Sequence, residues 1–241
     1  MALHRIYFEG DLRPGALSIG GDEAHHAVRV KRLAIGDRVQ VLNGRGRIAN
    51  AVIVGTGKDG HTWTLRLEVA SVDLAPPTTP RLEVCSPAPK GQRLAEMIDA
   101  LSQVGAAVWS YLETQHSDAE PRPAKMDRLA RIAAEASKQC GRAWLLQIGP
   151  ALSFPQALAG DAAVVLADAS GEPYRAAQTP AIRLLVGPEG GWSPRELQQA
   201  RAAGLRIARF GPHTMRIETA APVAAAIILD AESRAQGPRN L

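Results

Sequence analysis

The segment Leu184–Glu196 constrains the fold of this chain more than any other. Its sequence, LLVGPEGGWSPRE, passes from an apolar run into a turn with three glycines and then into the start of a helix. Ser193 suits the N-cap position, Pro194 the first helical position, and Glu196 completes a capping box. The glycines therefore lie between a buried strand and a helix N-terminus. In α/β proteins this is where ligands bind, because free backbone N–H groups and the helix dipole point away from the sheet edge.

The loop itself narrows the class of ligand. It lacks the Gly-Lys-Ser/Thr ending of a P-loop, and Gly187, Gly190 and Gly191 do not fit the G-x-G-x-x-G dinucleotide pattern. Glu189 would repel phosphate. The loop is thus suited to a ligand with few or no phosphates, and the alternative is a tight strand-to-helix turn that binds nothing.

The order of elements along the chain predicts two domains. Residues 1–74 contain short β-type runs, hairpin-type turns and one short helix, which is the pattern of a small β-barrel. Residues 75–81 are rich in proline and form a predicted linker. Residues 82–241 alternate apolar strands with amphipathic helices, which predicts an α/β domain with a parallel sheet.

Composition excludes several classes of protein. No apolar run approaches the length of a membrane span, and the two cysteines, Cys85 and Cys140, form neither a disulfide framework nor a metal site. We therefore expect a cytoplasmic protein that binds no membrane and no metal. The net charge is +4, and only five of the 28 basic residues are lysines. Arginine suits RNA because its guanidinium pairs with phosphate and stacks on bases, although a codon-usage bias would give the same composition.

A basic cluster near the N-terminus is the predicted RNA-phosphate surface. It has one acidic residue, Asp37, among six basic ones. An ordinary solvated helix and hairpin is the alternative interpretation. Arg142 could also reach phosphate, or could cap the C-terminus of a helix that ends near Gly141. The six residues of the cluster are Arg29, Lys31, Arg32, Arg38, Arg45 and Arg47.

A second motif follows the glycine loop, the segment Phe210–Ala221 with the sequence FGPHTMRIETAA. Together the two motifs resemble the C-terminal signatures of the SPOUT methyltransferases, and within them the family that methylates N3 of one uridine in small-subunit ribosomal RNA. The resemblance extends upstream to Gln139–Arg142 and to the segment from His26 to Gly44, so it spans most of the chain.

The resemblance implies a fold, a cofactor and partners. The fold is a SPOUT-type parallel sheet with a C-terminal trefoil knot, preceded by a PUA-like RNA-binding β-barrel. The cofactor is S-adenosylmethionine, and the partners are small-subunit ribosomal RNA, in the assembled small subunit, and a second copy of the chain. The implied cofactor-binding residues are Leu166, Ala167, Gly187, Glu189, Gly190, Phe210, Gly211 and Met215.

Arg216 and Glu218 are the predicted catalytic residues. Uracil N3 carries a proton at neutral pH, so the reaction needs a base or a cation that stabilises the anion. Arg216 could bind the developing anion, and Glu218 could take the proton or orient Arg216. The alternative is a structural Arg–Glu pair that closes the loop.

The chain departs from the family pattern at several positions. Ala100 and Gln103 stand where the family has lysine and glutamate, and His116 stands where it favours arginine. Met215 replaces a leucine. These changes affect the expected RNA contacts more than cofactor binding. They leave open two further functions: a SPOUT methyltransferase that acts on another RNA position, and a non-catalytic RNA-binding homologue.

Overall fold

The computed structural model describes residues 3–117 and 121–237. Its packing divides the chain into two compact units. The N-terminal unit comprises the chain up to Pro77 together with Ser137–Leu145, and the C-terminal unit comprises Thr78–Ala136 and the chain from Leu146 onward. The domain limits derived from the sequence, 1–74 and 82–241, stay a prediction, because a division by packing does not assign a function to either part.

The N-terminal unit is built on a five-stranded sheet. Its strands have the order β1-β3-β4-β5-β2, in which β1 and β3 are parallel and the other pairs antiparallel. Ile6, Val39 and Leu65 are among the fully or almost fully buried residues of its core. The elements are β1 (His4–Tyr7), β2 (Gly15–Gly20), α1 (Gly21–His25), a π-helical turn (His26–Val30), β3 (Arg38–Leu42), β4 (Arg47–Asp59) and β5 (Thr62–Leu74).

The C-terminal unit is a parallel sheet with helices. The order of the main strands is β12-β10-β11-β6-β7-β8, and β9 pairs with β7. The strands are β6 (Arg81–Ser86), β7 (Val108–Glu113), β8 (Gln147–Ile148), β9 (Leu152–Ser153), β10 (Ala163–Pro173), β11 (Ala181–Val186) and β12 (Arg206–Arg209). The helices are α2 (Arg93–Val104), α3 (Pro123–Cys140), α4 (Phe154–Leu158), α5 (Pro194–Ala202) and α6 (Ile217–Ala235).

Both faces of the parallel sheet are buried, as the continuous apolar strands predict. Leu184 packs in one apolar cluster with residues of α2, α3 and α6, whereas its neighbour Leu185 packs in a second cluster with Phe154 and Ala200. This alternation follows from the two-residue period of a strand. The loops that leave the carboxyl ends of these strands therefore emerge from a rigid, two-sided core.

Candidate active site

The glycine loop follows β11, as the sequence predicts. The capping box is present: the Ser193 hydroxyl accepts a hydrogen bond from the Glu196 N–H at 3.3 Å, and the Ser193 N–H donates to Glu196 Oε2 at 2.8 Å. Gly191 has a φ of 74°, a left-handed conformation that favours glycine. The first turn of α5 is thus fixed by its own side chains, which also fixes the point at which the glycine loop ends.

Trp192 holds this loop against the neighbouring strand, and its contacts were not predicted from the sequence. Its indole Nε1 donates to the Ala167 carbonyl at 2.9 Å, and its ring lies 5.5 Å from the ring of Phe154. A Cβ added to Gly187 would lie 2.9 Å from the indole. Gly187 therefore leaves the space that Trp192 fills. The available signal was an aromatic residue directly after the glycine pair.

The predicted cofactor-binding residues belong to three adjacent strands or the loops after them, β12, β10 and β11. Leu166 and Ala167 lie within β10 and pair with the last two residues of β11. Leu166 is fully buried and Phe210 nearly so, with its ring 5.6 Å from that of Tyr174. Their side chains belong to the core, so contact with a ligand at these positions would come from the backbone. Gly211 is exposed at a φ of 154°, and Met215 lies beside it.

A cavity of about 170 Å³ lies along the glycine loop. It is formed by the loops after β6, β7 and β11 and by the first residue of α6. Pockets that bury a drug-sized ligand are larger, roughly 300–1,000 Å³, so this cavity suits a single ring. Its lining residues are Pro87, Ala88, Pro89, Lys90, His116, Ser117, Pro188, Glu189, Gly190 and Ile217.

The loop after β7 is held against the glycine loop by two hydrogen bonds. The Gln115 N–H donates to Glu196 Oε1 at 3.0 Å, and His116 Nδ1 lies 3.0 Å from the Gly191 carbonyl oxygen. Since that carbonyl can only accept, the hydrogen bond requires a proton on His116 Nδ1. Glu196 therefore serves both the cap of α5 and the position of His116, which is the residue that departs from the family pattern.

Arg216 and Glu218 both lie at the start of α6 but have different surroundings. Arg216 is the exposed N-cap residue, and its side chain makes no capping hydrogen bond. The side chain of Glu218 is 13% exposed, and its Oε1 lies 3.6 Å from Nη1 of Arg93. Among the described residues, therefore, Glu218 pairs with Arg93 and not with Arg216. The alternative interpretation was a structural ion pair between Arg216 and Glu218, and the described residues contain no such pair.

Arg93 also contacts the glycine loop, because its Nη1 lies 3.0 Å from Glu189 Oε1. Glu218 Oε2 is buried and has no hydrogen-bond partner among the described residues. A buried polar atom without a partner is uncommon in native proteins, and a catalytic role is one of its explanations. The sequence analysis did not identify Arg93, since no local pattern connects it with residues that lie 96 and 125 positions later in the chain.

The six residues of the basic cluster and Arg142 all belong to the N-terminal unit. Arg29, Lys31, Arg32 and Arg45 are exposed. Arg142 is partly buried, and burial lowers its pKa. In the last turn of α3, the guanidinium of Arg5 donates to the Lys138 and Gln139 carbonyls at 3.3 and 3.2 Å.

Neither a metal-binding group of side chains nor a membrane-spanning helix is found among the described residues. In the ranges 3–117 and 121–237, no three histidine, cysteine, aspartate or glutamate side chains are grouped so as to hold a metal ion. No helix within the same ranges is long and apolar enough to cross a membrane.

Comparison with known proteins places the chain in a family. Residues 77–229 match the model of the RNA methyltransferase domain, and residues 19–62 match that of the RNA methyltransferase PUA domain. A ribosomal RNA small subunit methyltransferase E from Mycobacterium bovis is 31% identical over 87% of this chain and 85% of its own. The protein of the same name from Synechocystis is 31% identical, over 86% of this chain and 70% of its own.

A solved structure has the same fold. The ribosomal RNA small subunit methyltransferase E from Neisseria gonorrhoeae, bound to S-adenosylmethionine, superposes with a TM-score of 0.81 over 97% of this chain and 98% of its own, at 21% identity. The predicted SPOUT-type α/β fold with a PUA-like N-terminal part is confirmed, and the trefoil knot stays a prediction. The chain therefore belongs to the RNA methyltransferase family of the ribosomal RNA small subunit methyltransferases E.

Proposed function

We propose that this chain transfers a methyl group from S-adenosylmethionine to N3 of one uridine in small-subunit ribosomal RNA. The observation that carries the proposal is that Glu189 and Gly190 of the glycine loop line a cavity of about 170 Å³ together with Ile217, the residue before Glu218. The predicted cofactor-binding residues of β10 pair with the end of β11, the strand that leads into the same loop.

The residues present fit S-adenosylmethionine. The ligand has no phosphate, and the loop offers glycine backbone and Glu189 where a P-loop has lysine. Gly187, Gly190 and Ala167 would hold it at the ends of β11 and β10, and Gly211 and Met215 would hold it after β12. When bound, S-adenosylmethionine supplies a methyl group on a sulfonium, whose carbon–sulfur bond breaks with its electron pair left on sulfur.

The acceptor chemistry is assigned to the residues at the start of α6. N3 becomes nucleophilic when its proton leaves, and Glu218 Oε2 is the buried, unpartnered oxygen that would accept that proton. Arg216, which is exposed beside it, would bind the negative charge that spreads over O2 and O4. A single pyrimidine ring matches the size of the cavity, into which the base would be turned out of its stack.

The proposed partners are ribosomal RNA in the assembled small subunit and a second copy of the chain, and the proposed location is the cytoplasm. The basic residues of the N-terminal unit support the first of these. A methyltransferase that acts on another RNA position and a non-catalytic RNA-binding homologue are the competing functions.

One experiment separates the three functions. The protein is incubated with tritiated S-adenosylmethionine and small subunits that lack native methylation, and the labelled nucleotide is mapped by mass spectrometry. We expect one methyl group on N3 of one uridine. Label on a ribose or on another base would support the first competing function. RNA binding without transferred label would support the second.

A further inference from the structure

We propose that Arg93 is a positioning residue of the acceptor site, and that one guanidinium joins the cofactor loop to the proton-accepting carboxylate. The inference rests on the proposed function, since it assigns a role to Glu218 in methyl transfer. It adds a residue that neither of the two C-terminal motifs contains.

The geometry places Arg93 where three segments meet. It is the first residue of α2, and its Nη1 lies 3.0 Å from Glu189 on the glycine loop and 3.6 Å from Glu218 at the start of α6. These segments are far apart in sequence. Arg93 belongs to one of these segments and contacts the other two, so only the tertiary structure brings them together. The orientation of both carboxylates therefore depends on the same cation.

The contact with Arg93 also determines which oxygen of Glu218 is available. Oε1 faces the guanidinium, whereas Oε2 is buried and has no hydrogen-bond partner among the described residues. Burying a carboxylate oxygen without a donor is unfavourable. The N3–H group of a uracil that reaches this oxygen is a donor of the required kind. On proton transfer, the N–H bond breaks, its electron pair stays on N3, and the proton is held on Glu218.

A contribution to the stability of the fold explains the contacts of Arg93 poorly. The side chains of Arg93 and Glu189 are 35% and 48% exposed, and ion pairs at such positions contribute little to the free energy of unfolding. The three charges sum to one negative charge, so the single guanidinium is shared between two carboxylates. A planar guanidinium can hold two carboxylates in one fixed arrangement, whereas an ammonium is a point charge without that geometry.

The test combines single and double substitutions in the full chain. The variants are Arg93→Ala, Arg93→Lys, Glu218→Gln and the double variant Arg93→Ala/Glu218→Gln. Arg201→Ala, which removes an exposed arginine in the last turn of α5, is the matched control. Turnover is measured on small subunits, the dissociation constant of S-adenosylmethionine by calorimetry, and the melting temperature by thermal unfolding.

We expect Arg93→Ala to lower kcat on the order of 10-fold or more, with a smaller loss for Arg93→Lys, because only part of the geometry is retained. Cofactor affinity and melting temperature should change little in either variant. Glu218→Gln should lose on the order of 100-fold, as expected for removal of a base. The double variant should be no slower than Glu218→Gln alone, because Arg93 then has no proton-accepting carboxylate to position.

Two results would overturn the inference while leaving the proposed function intact. One is a turnover of Arg93→Ala equal to that of the wild type. The other is a double variant whose loss is the product of the two single losses, since that would mean that Arg93 does not act through Glu218. A wild-type protein that transfers no methyl group to small subunits overturns the proposed function, and this inference with it.

Discussion

Among single residues, we propose that Arg216 and Glu218 divide the acceptor chemistry between an exposed cation and a largely buried carboxylate. Because its charge matters only as uracil becomes an anion, Arg216 should act on the chemical step more than on cofactor binding. We predict that Arg216→Ala lowers kcat by roughly 100-fold, by analogy with the loss of one oxyanion donor, while the dissociation constant of S-adenosylmethionine stays nearly constant. Single-turnover kinetics and calorimetry measure the two quantities. Arg216→Lys is the charge-preserving control, and a variant whose only defect is cofactor affinity would contradict the prediction.

Gly190 tests the predicted approach of the cofactor to the loop backbone. Gly191 needs its positive φ, but Gly190 does not have one, and a Cβ at Gly190 would lie 3.4 Å from the side chain of His116. We therefore predict that Gly190→Val folds normally but loses measurable binding of S-adenosylmethionine, because its branched side chain fills the space beside the loop. Gly190→Ala is the smaller control and should bind more weakly than the wild type. Normal binding by the valine variant would remove this part of the loop from the site.

At the scale of elements, the start of α5 holds two loops together through Glu196. This side chain is 5% exposed and accepts hydrogen bonds from Ser193 and from the Gln115 N–H. We predict that Glu196→Ala lowers the free energy of unfolding by about 1–3 kcal/mol, because buried donors lose their acceptor. Denaturant unfolding measures the change. Arg195→Ala, an exposed neighbour on the same helix, should change stability by about 0.5 kcal/mol or less, and equal losses in the two variants would exclude the cap as the cause.

Some of the helices and strands can be predicted from the sequence, and others cannot. Strong apolar runs and the capping box predict β11, the glycine loop and α5 nearly to the residue. Gly15–Gly20, which forms β2, was missed because two terminal glycines and a weak apolar pattern give no strand signal. The one short helix predicted within residues 1–74 is a five-residue α-helix, Gly21–His25, that continues as a π-helical turn over His26–Val30. Composition does not encode this change of hydrogen-bond register. The contacts of Arg93 could not be predicted, since they depend on how distant segments pack.

At the scale of the whole molecule, the predicted RNA surface is distinct from the predicted cofactor site. The basic cluster and Arg142 belong to the N-terminal unit, and all the predicted cofactor residues belong to the C-terminal unit. We predict that changing Arg29, Arg32 and Arg45 together to alanine lowers RNA affinity and flattens its dependence on log salt by roughly two to three units. Cofactor affinity should remain constant. The control changes Arg81, Arg201 and Arg234, which are exposed in the C-terminal unit, and an equal loss of slope there would mean that net charge alone is responsible.

We predict that two copies of the chain associate through α6. The sequence places Ala224, Ala225, Ile227 and Ile228 around this helix, but three of them are buried within the chain, and only Ile227, at 37% exposure, presents a large apolar side chain to the surface. If two copies associate through α6, a charge at this position would have to be buried without a partner, which strongly opposes association. We therefore predict that the wild type sediments as a dimer at micromolar concentration and that Ile227→Glu sediments as a monomer with reduced turnover. Ser233→Glu adds the same charge at another exposed position of the helix and should remain dimeric. An active wild-type monomer would refute the dimer, and a dimeric Ile227→Glu protein would show that the interface lies elsewhere.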